Sequence, residues 1–212
     1  MKIQPTIEQN LEITRSKISE FLDQAGSQEN NTFLIAFCSL MRDACREIEK
    51  LNSMPLDLTY VGIGTRNIIE LYLISRHIFT DKKWLDNWLG QMHKDTVDIQ
   101  DGFLTLMNKH GKNTSELEAI HKFCDESLEQ SDYESKGQFI MKELAKTYGH
   151  DEDYVSVHKL CSKLVHPTSM KINAYEVLTA NANYIDTLRY VASYFAIQIE
   201  DLIDEIRDRE FA

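Results

Sequence analysis

The sequence predicts an all-helical fold, and three observations carry that prediction. Eight glycines and three prolines among 212 residues amount to about 5%, where average usage gives about 12%, so few residues are present to interrupt helices. Apolar residues recur at three- and four-residue steps from end to end. No stretch alternates with period two over the length of a strand. We expect one domain over 1–212, a bundle of about seven or eight helices with a long C-terminal helix, in which an N-terminal hairpin (1–56) packs on a core (57–212).

The first helix starts after Pro5 with Thr6 as N-cap and buries Ile7, Leu11, Ile18, Phe21 and Leu22 before Gly26 and Ser27 end it. A second begins after Asn31, carries Phe33, Leu34, Phe37, Leu40, Met41, Ala44, Ile48 and Leu51, and stops before Pro55. Cys38 and Cys45 fall on its apolar stripe, which makes them small core residues rather than metal ligands. The third helix, from about Leu58 to Phe79, is the most apolar in the chain, and Gly62 and Gly64 permit close packing on a neighbour. Asp81 caps the next segment, whose inner face of Trp84, Leu85, Trp88, Leu89 and Met92 continues through Val97, Ile99, Phe103, Leu104 and Met107 to Gly111. That pattern fits one long helix or two. A helix from Ser115 to Leu128 follows, then a polar connection around Ser131, then a helix from about Lys136 to Tyr148 ended by Gly149. Asp151 or Asp153 caps the next one, which runs through Tyr154, Val157, Leu160, Cys161 and Leu164 to His166, because Pro167 disfavours helical geometry in the residue before it. Ala174 to Asp208 reads as one final helix, whose apolar residues past Ile199 serve either the core or a dimer face.

Composition excludes several classes of function. With 42% hydrophobic and 27% charged residues the chain is globular, and no apolar run approaches the roughly 18 residues of a membrane span. Met1 to Pro5 lacks the apolar core of a secretory signal, so the expected location is the cytoplasm and the four cysteines are expected as reduced thiols. A net charge of −11 opposes broad adhesion to nucleic acid or anionic membrane. The sign reverses locally: residues 135–171 carry Lys136, Lys142, Lys146, Lys159, Lys163 and Lys171 against four carboxylates. Any surface that meets an anion is expected there.

Candidate chemistry is sparse. A di-metal carboxylate bundle needs two Glu-x-x-His pairs, and only Glu118 and His121 form one, so no metal site is expected. HExxH, Gly-rich phosphate loops, GxSxG and nucleotide fingerprints are missing. Trp84 and Trp88 read as core aromatics. The third helix, however, holds an ionic pair in apolar surroundings: Arg66 and Glu70 are i, i+4, and His77 returns close to the same direction. Charges on such a helix must be paired or reach solvent, so the pair is either a fold-defining salt bridge or the polar floor of a site. The second feature is Ser162-Lys163-Leu164-Val165-His166-Pro167-Thr168, where a histidine closes a helix just before proline bends the chain away. His158, Ser162 and His166 are spaced four and four, and Lys163 lies one turn before His166, so a cation and a proton-transfer group can share one anion. A histidine that merely caps carbonyls at a helix end explains the same residues.

An apolar helix carrying Arg-x-x-x-Glu (Arg66, Glu70), followed about 90 residues later by Ser-x-x-x-His-Pro (Ser162, His166, Pro167), resembles a family of uncharacterised bacterial all-helical proteins similar to the HEPN superfamily. The resemblance covers roughly Leu58 to Phe195. It implies a helical bundle, homodimerisation, association with toxin–antitoxin or phage-defence systems, and in many members metal-independent ribonuclease activity without a cofactor. The HEPN signature of arginine, four to six residues, then histidine is absent; Lys159 stands in the arginine's place at the longest spacing before His166. Carried onto this chain, the resemblance makes His166 a general acid or base on a ribose 2′-hydroxyl. Lys159 or Lys163 would hold the phosphate, with Ser162 and Thr168 as hydrogen-bonding groups and Arg66, steadied by Glu70, near the reacting group. Tyr72 and His158 complete the expected binding set, and His158 is not ranked below His166.

Three functions compete. One is a non-catalytic helical module that dimerises or docks a partner protein such as an antitoxin, with Arg66, Glu70 and His166 as an internal polar network. The second is a divergent ribonuclease acting on RNA, and the third a nucleotide or small-molecule sensor. A ribonuclease needs an open, positive groove at His166, whereas a structural network needs its groups buried and mutually bonded.

Overall fold

The structure, a computed structural model, describes residues 5–26, 30–53, 57–130, 133 and 137–211. The sequence readings at Ser27, Pro55, Ser131 and Lys136 lie outside them. Among the described residues there are nine helices and no strand: α1 (Ile7–Ala25), α2 (Thr32–Ser53), α3 (Leu58–Thr80), α4 (Lys82–Lys109), α5 (Ser115–Glu129), α6 (Met141–Thr147), α7 (Asp151–Val165), α8 (Ser169–Thr179) and α9 (Ala182–Glu210). No described helix is long and apolar enough to cross a membrane. The chain divides into two compact units, Met1–Arg76 with Ile140–Ala212, and His77–Phe139.

In the first unit, Thr6 and Gln9 form a reciprocal capping box that starts α1. α1 packs on both α2 and α9, burying Phe21, Phe37 and Phe195 completely; the Phe21 and Phe37 rings meet edge to face at 5.4 Å. Ile199, Leu202 and Ile206 of α9 are buried in this core. That stretch therefore serves the core and is not a free dimer face. α3 lies against α2, α7 and α9, and its glycines let two of these neighbours approach closely. A Cβ at Gly62 would stand 3.3 Å from Cys161 Sγ of α7, and one at Gly64 would stand 3.1 Å from Leu51 of α2. The contacts Gly62 to Cys161 and Glu70 to Tyr154 make α3 and α7 antiparallel, while Thr65 to Leu188 and Tyr72 to Phe195 make α3 and α9 parallel.

Several boundaries depart from the sequence reading. α6 is shorter than expected, beginning at Met141 after an extended Ile140. Gly149 ends that turn with φ +81°, and the N–H of His150 reaches Ala145 O at 2.7 Å. Neither Asp151 nor Asp153 caps α7: His150 holds that position without a side-chain cap bond, and both aspartates sit inside the first turn, where carboxylates complement the helix dipole. At the other end His166 is extended, as Pro167 requires. The final helix is two helices, which brings the count above seven or eight. Thr168 caps α8 by accepting from Lys171 N, and Asn181 caps α9 by accepting from Asn183 N. The break at 180–181 has neither glycine nor proline to announce it.

In the second unit, α4 is one helix, capped by Asp81. Its packing on α5 is marked by Gln100 donating to Cys124 Sγ at 3.4 Å and by His121 Nε2 standing 2.8 Å from Asp101 Oδ1. Glu118 accepts instead from Thr114 Oγ1 at 2.7 Å. Trp84 and Trp88 pack inward, with His77 stacked on Trp84 at 4.4 Å and Phe139 stacked on Trp88 at 6.0 Å. Beyond them the expected inner face of α4 divides: Leu89, Val97, Leu104 and Met107 are half-buried, as Trp84 and Trp88 are, whereas Met92, Ile99 and Phe103 are exposed.

Candidate functional site

The Arg66–Glu70 pair faces α7. One helical turn aligns the two side chains, and Arg66 Nε donates to Glu70 Oε1 at 2.8 Å. Tyr154, from the first turn of α7, donates its hydroxyl to the same carboxylate oxygen at 3.1 Å. The three groups therefore tie α3 to α7. Glu70 is 21% exposed and Arg66 36%, so the network lies at the edge of the core.

Burial works against the Arg66 cation, but the hydrogen bond and charge of Glu70 outweigh it and hold its pKa above the ordinary arginine value. Burial, followed by the Glu70 carboxylate, pushes the Tyr154 phenol up to about 12. Both groups are fixed in their neutral-pH forms, a phenol that donates and a guanidinium that neutralises a carboxylate. That is a clasp between helices. Next along the interface, the Cys161 thiol donates to Gly62 O at 3.0 Å, and burial pushes its pKa up to about 11.

His158 lies against this clasp, its ring 5.6 Å from that of Tyr154. His166 does not: eight residues separate the two histidines, about 12 Å along a helix axis. It stands exposed at the end of α7, as do Lys159 and Lys163 on the helix itself, while Ser162 is half-buried. Thr168 is engaged in capping, donating to Lys163 O at 2.8 Å. Tyr72 belongs to the core, with the rings of His150 at 5.5 Å and Phe195 at 5.6 Å. His77 packs in the aromatic cluster of the second unit. Of the expected residues, Arg66 and Glu70 come together; Tyr154 joins them, and His158 lies against Tyr154. Sequence reasoning placed Tyr154 on the inner face of α7 as packing; its phenol on an otherwise aliphatic face was the available signal.

A groove of about 640 Å³ opens along α7 beside the α8–α9 junction. Its α7 wall includes Glu152, Asp153, Ser156 and Leu160, and its α9 wall Asn183, Tyr184 and Thr187. None of its described lining residues is a lysine, arginine or histidine, so this groove is not built for a phosphate backbone. The described residues contain no cluster of metal-ligating side chains. No family model, curated protein or solved structure matches the chain.

Proposed function

We propose that the chain is a non-catalytic helical binding protein, HEPN-like in descent and of the toxin–antitoxin or phage-defence type, acting in the cytoplasm by dimerisation and by docking a partner protein. The observation that supports this reading is the engagement of Arg66. The Arg66 guanidinium is bonded to Glu70, on the carboxylate oxygen that also accepts from Tyr154, so its charge serves the packing of α3 on α7. A mixed RNA pool incubated with the protein in chelator tests it. No cleavage is expected at high protein concentration, and cleavage that disappears in His166→Ala overturns the reading.

The alternative is a metal-independent ribonuclease, and one observation favours it: His166 is exposed at a helix end with Lys163 one turn before it. In that case His166→Ala and Lys163→Ala each lower cleavage by at least about tenfold.

A further inference from the structure

The groove between α7 and α9 is apolar along its floor and acidic at one end. α7 is antiparallel to α3 and α9 is parallel to it, so α7 and α9 run antiparallel and the start of α7 stands opposite the middle of α9. The trough holds about 640 Å³ and follows α7 from Glu152 to Leu160, about 12 Å along the helix axis. On its floor Val157 and Leu188 are buried, while Leu160 and Val191 are left half-covered. Its rims are polar and exposed, with Ser156 on one side and Asn183 and Thr187 on the other.

The acidic end carries Glu152 and Asp153, both exposed. Among the described residues the Glu152 carboxylate has no hydrogen-bond or ion-pair partner, and that of Asp153 lies 3.7 Å from His150 Nδ1. Tyr194 extends the α9 wall at this same end. It follows Thr187 by seven residues, about 20° round the helix, and its ring lies 6.1 Å from that of His150, the residue before α7. Tyr194 is 40% exposed. Two carboxylates beside an aromatic ring suit a guanidinium or ammonium group, through charge, hydrogen bonds and cation–π attraction. Lys163, seven residues after Ser156, prolongs the α7 wall at the opposite end, so a cation is drawn to the start of α7 alone.

These features select the occupant. The carboxylates repel nucleic acid and an anionic membrane. A small molecule needs enclosure over most of its surface, whereas exposed rims let this trough cover a guest from one side only. A helix matches it, because an amphipathic helix lays one apolar stripe on the floor and keeps its other faces in water. About eight residues of helix fill the length, a small interface of the weak, transient class.

We propose that the groove docks an amphipathic helix of a partner protein, its apolar stripe on Leu160 and Val191 and an arginine or lysine at one end held by Glu152, Asp153 and Tyr194. The inference rests on the binding-protein reading and names the surface and the chemistry of the segment it docks.

A fluorescently labelled peptide titrated with the full chain tests it by anisotropy. The peptide carries leucines at helical three- and four-residue spacing, glutamines elsewhere and a pair of arginines at one end. Saturable binding is expected, and the same peptide with glutamates for arginines, or with its leucines scrambled off the stripe, is expected to bind at least about tenfold more weakly. Thr187→Arg, which sets a long cationic side chain on the exposed rim, and the pair Glu152→Gln with Asp153→Asn are each expected to weaken binding by at least about tenfold. Glu116→Gln with Asp125→Asn on α5 removes as much charge elsewhere and is expected to leave it unchanged. Circular dichroism checks the fold. Should loss of the two α7 carboxylates disturb it, Thr187→Arg carries the test. No saturable binding, equal binding of the arginine and glutamate peptides, or binding indifferent to the groove variants overturns the proposal. So does displacement of the peptide by an equal concentration of octylammonium, which would make the groove a small-molecule site, or a dimer of the chain that Thr187→Arg dissociates, which would make it a contact between copies. Each of these leaves the non-catalytic reading standing, since that falls only to His166-dependent RNA cleavage.

Discussion

Glu70 Oε1 of α3 accepts two hydrogen bonds at once, from Arg66 Nε at 2.8 Å within its own helix and from Tyr154 Oη of α7 at 3.1 Å. The first bond holds the carboxylate in place and the second makes it a tie between helices. Removing the phenol leaves the Arg66–Glu70 pair intact. Tyr154→Phe is therefore expected to cost about 1 kcal/mol, below the roughly 1.5–3 kcal/mol of a hydrogen bond to a charged group because the pair is partly solvated. Glu70→Ala is expected to cost more, since it orphans both donors. Urea melts of the two variants check the order, and equal costs would contradict it.

The same phenol predicts an alkaline limit. With its pKa raised from 10.0 to about 12 in the fold, the neutral form is favoured by the native state. The stability this contributes is complete below about pH 10 and is lost as pH rises toward 12. Tyr154→Phe has no such proton to lose. Stability measured between pH 9 and about pH 11 is expected to fall more steeply in the wild type than in the variant; parallel curves would sink the assignment.

The second unit holds an acid-sensitive contact. Burial first, and the charge of Lys83 second, hold the His77 pKa below its ordinary value of 6.5. The native state favours neutral imidazole, so the stability it contributes is present above about pH 6.5 and is lost as pH falls through the depressed pKa. The chain's two tryptophans both report on this cluster, because His77 stacks on Trp84 and Phe139 on Trp88. Tryptophan fluorescence is expected to change on acidification below about pH 6.5 in the wild type and to stay flat over that range in His77→Phe, which keeps a flat ring but does not titrate. The same acid transition in both proteins would rule His77 out.

Helix identity was legible because periodicity reports burial: α1, α2 and α3 follow their apolar stripes closely, and Thr6 and Asp81 cap where their side chains suggest. Periodicity does not say what covers a stripe. Ile99 and Phe103 continue the pattern of Trp84 and Leu85, but they are exposed while Val97, Leu104 and Met107 of the same pattern are half-buried. The 180–181 break was hidden because Asn181 alone makes the cap, and asparagine within an alanine-rich stretch does not exclude a continuous helix. At the site, Arg66 and Glu70 were visible as an i, i+4 pair, whereas their partner on α7 depends on how α3 and α7 pack, a relationship set by glycines far along the chain from Tyr154.

The second cap of the C-terminal region gives a further test. Thr168 Oγ1 accepts from Lys171 N at 3.3 Å and donates to Lys163 O at 2.8 Å, so one hydroxyl starts α8 and closes α7. α8 has no buried residue of its own to hold it; its tie to the unit is Tyr175 donating to Asp57 Oδ2 at 2.6 Å. Thr168→Ala is expected to cost about 1 kcal/mol globally, and faster amide exchange across 169–179 than elsewhere in the unit is its local signature. Unchanged exchange there would show that the cap does not limit α8.

Gly62 tests whether close approach of α3 and α7 is what the clasp depends on. Alanine is the better helix former by about 1 kcal/mol, so in open space Gly62→Ala would stabilise. Here the new methyl would lie 3.3 Å from Cys161 Sγ and 3.6 Å from Leu164, and the thiol cannot withdraw without giving up its 3.0 Å bond to Gly62 O. Crowding of this kind costs about 1–3 kcal/mol, so the expected net effect is destabilisation by about 1 kcal/mol. Cys161→Ala removes the crowding atom and creates a small cavity of its own. In the double variant the added methyl fills part of that cavity, so the two changes are expected to compensate, with the pair more stable than the sum of the single losses by about 1 kcal/mol or more. Additive losses would mean that the helices have slack at this crossing, and that Tyr154 reaches Glu70 by side-chain adjustment rather than by the close seating of α7 on the glycine face of α3.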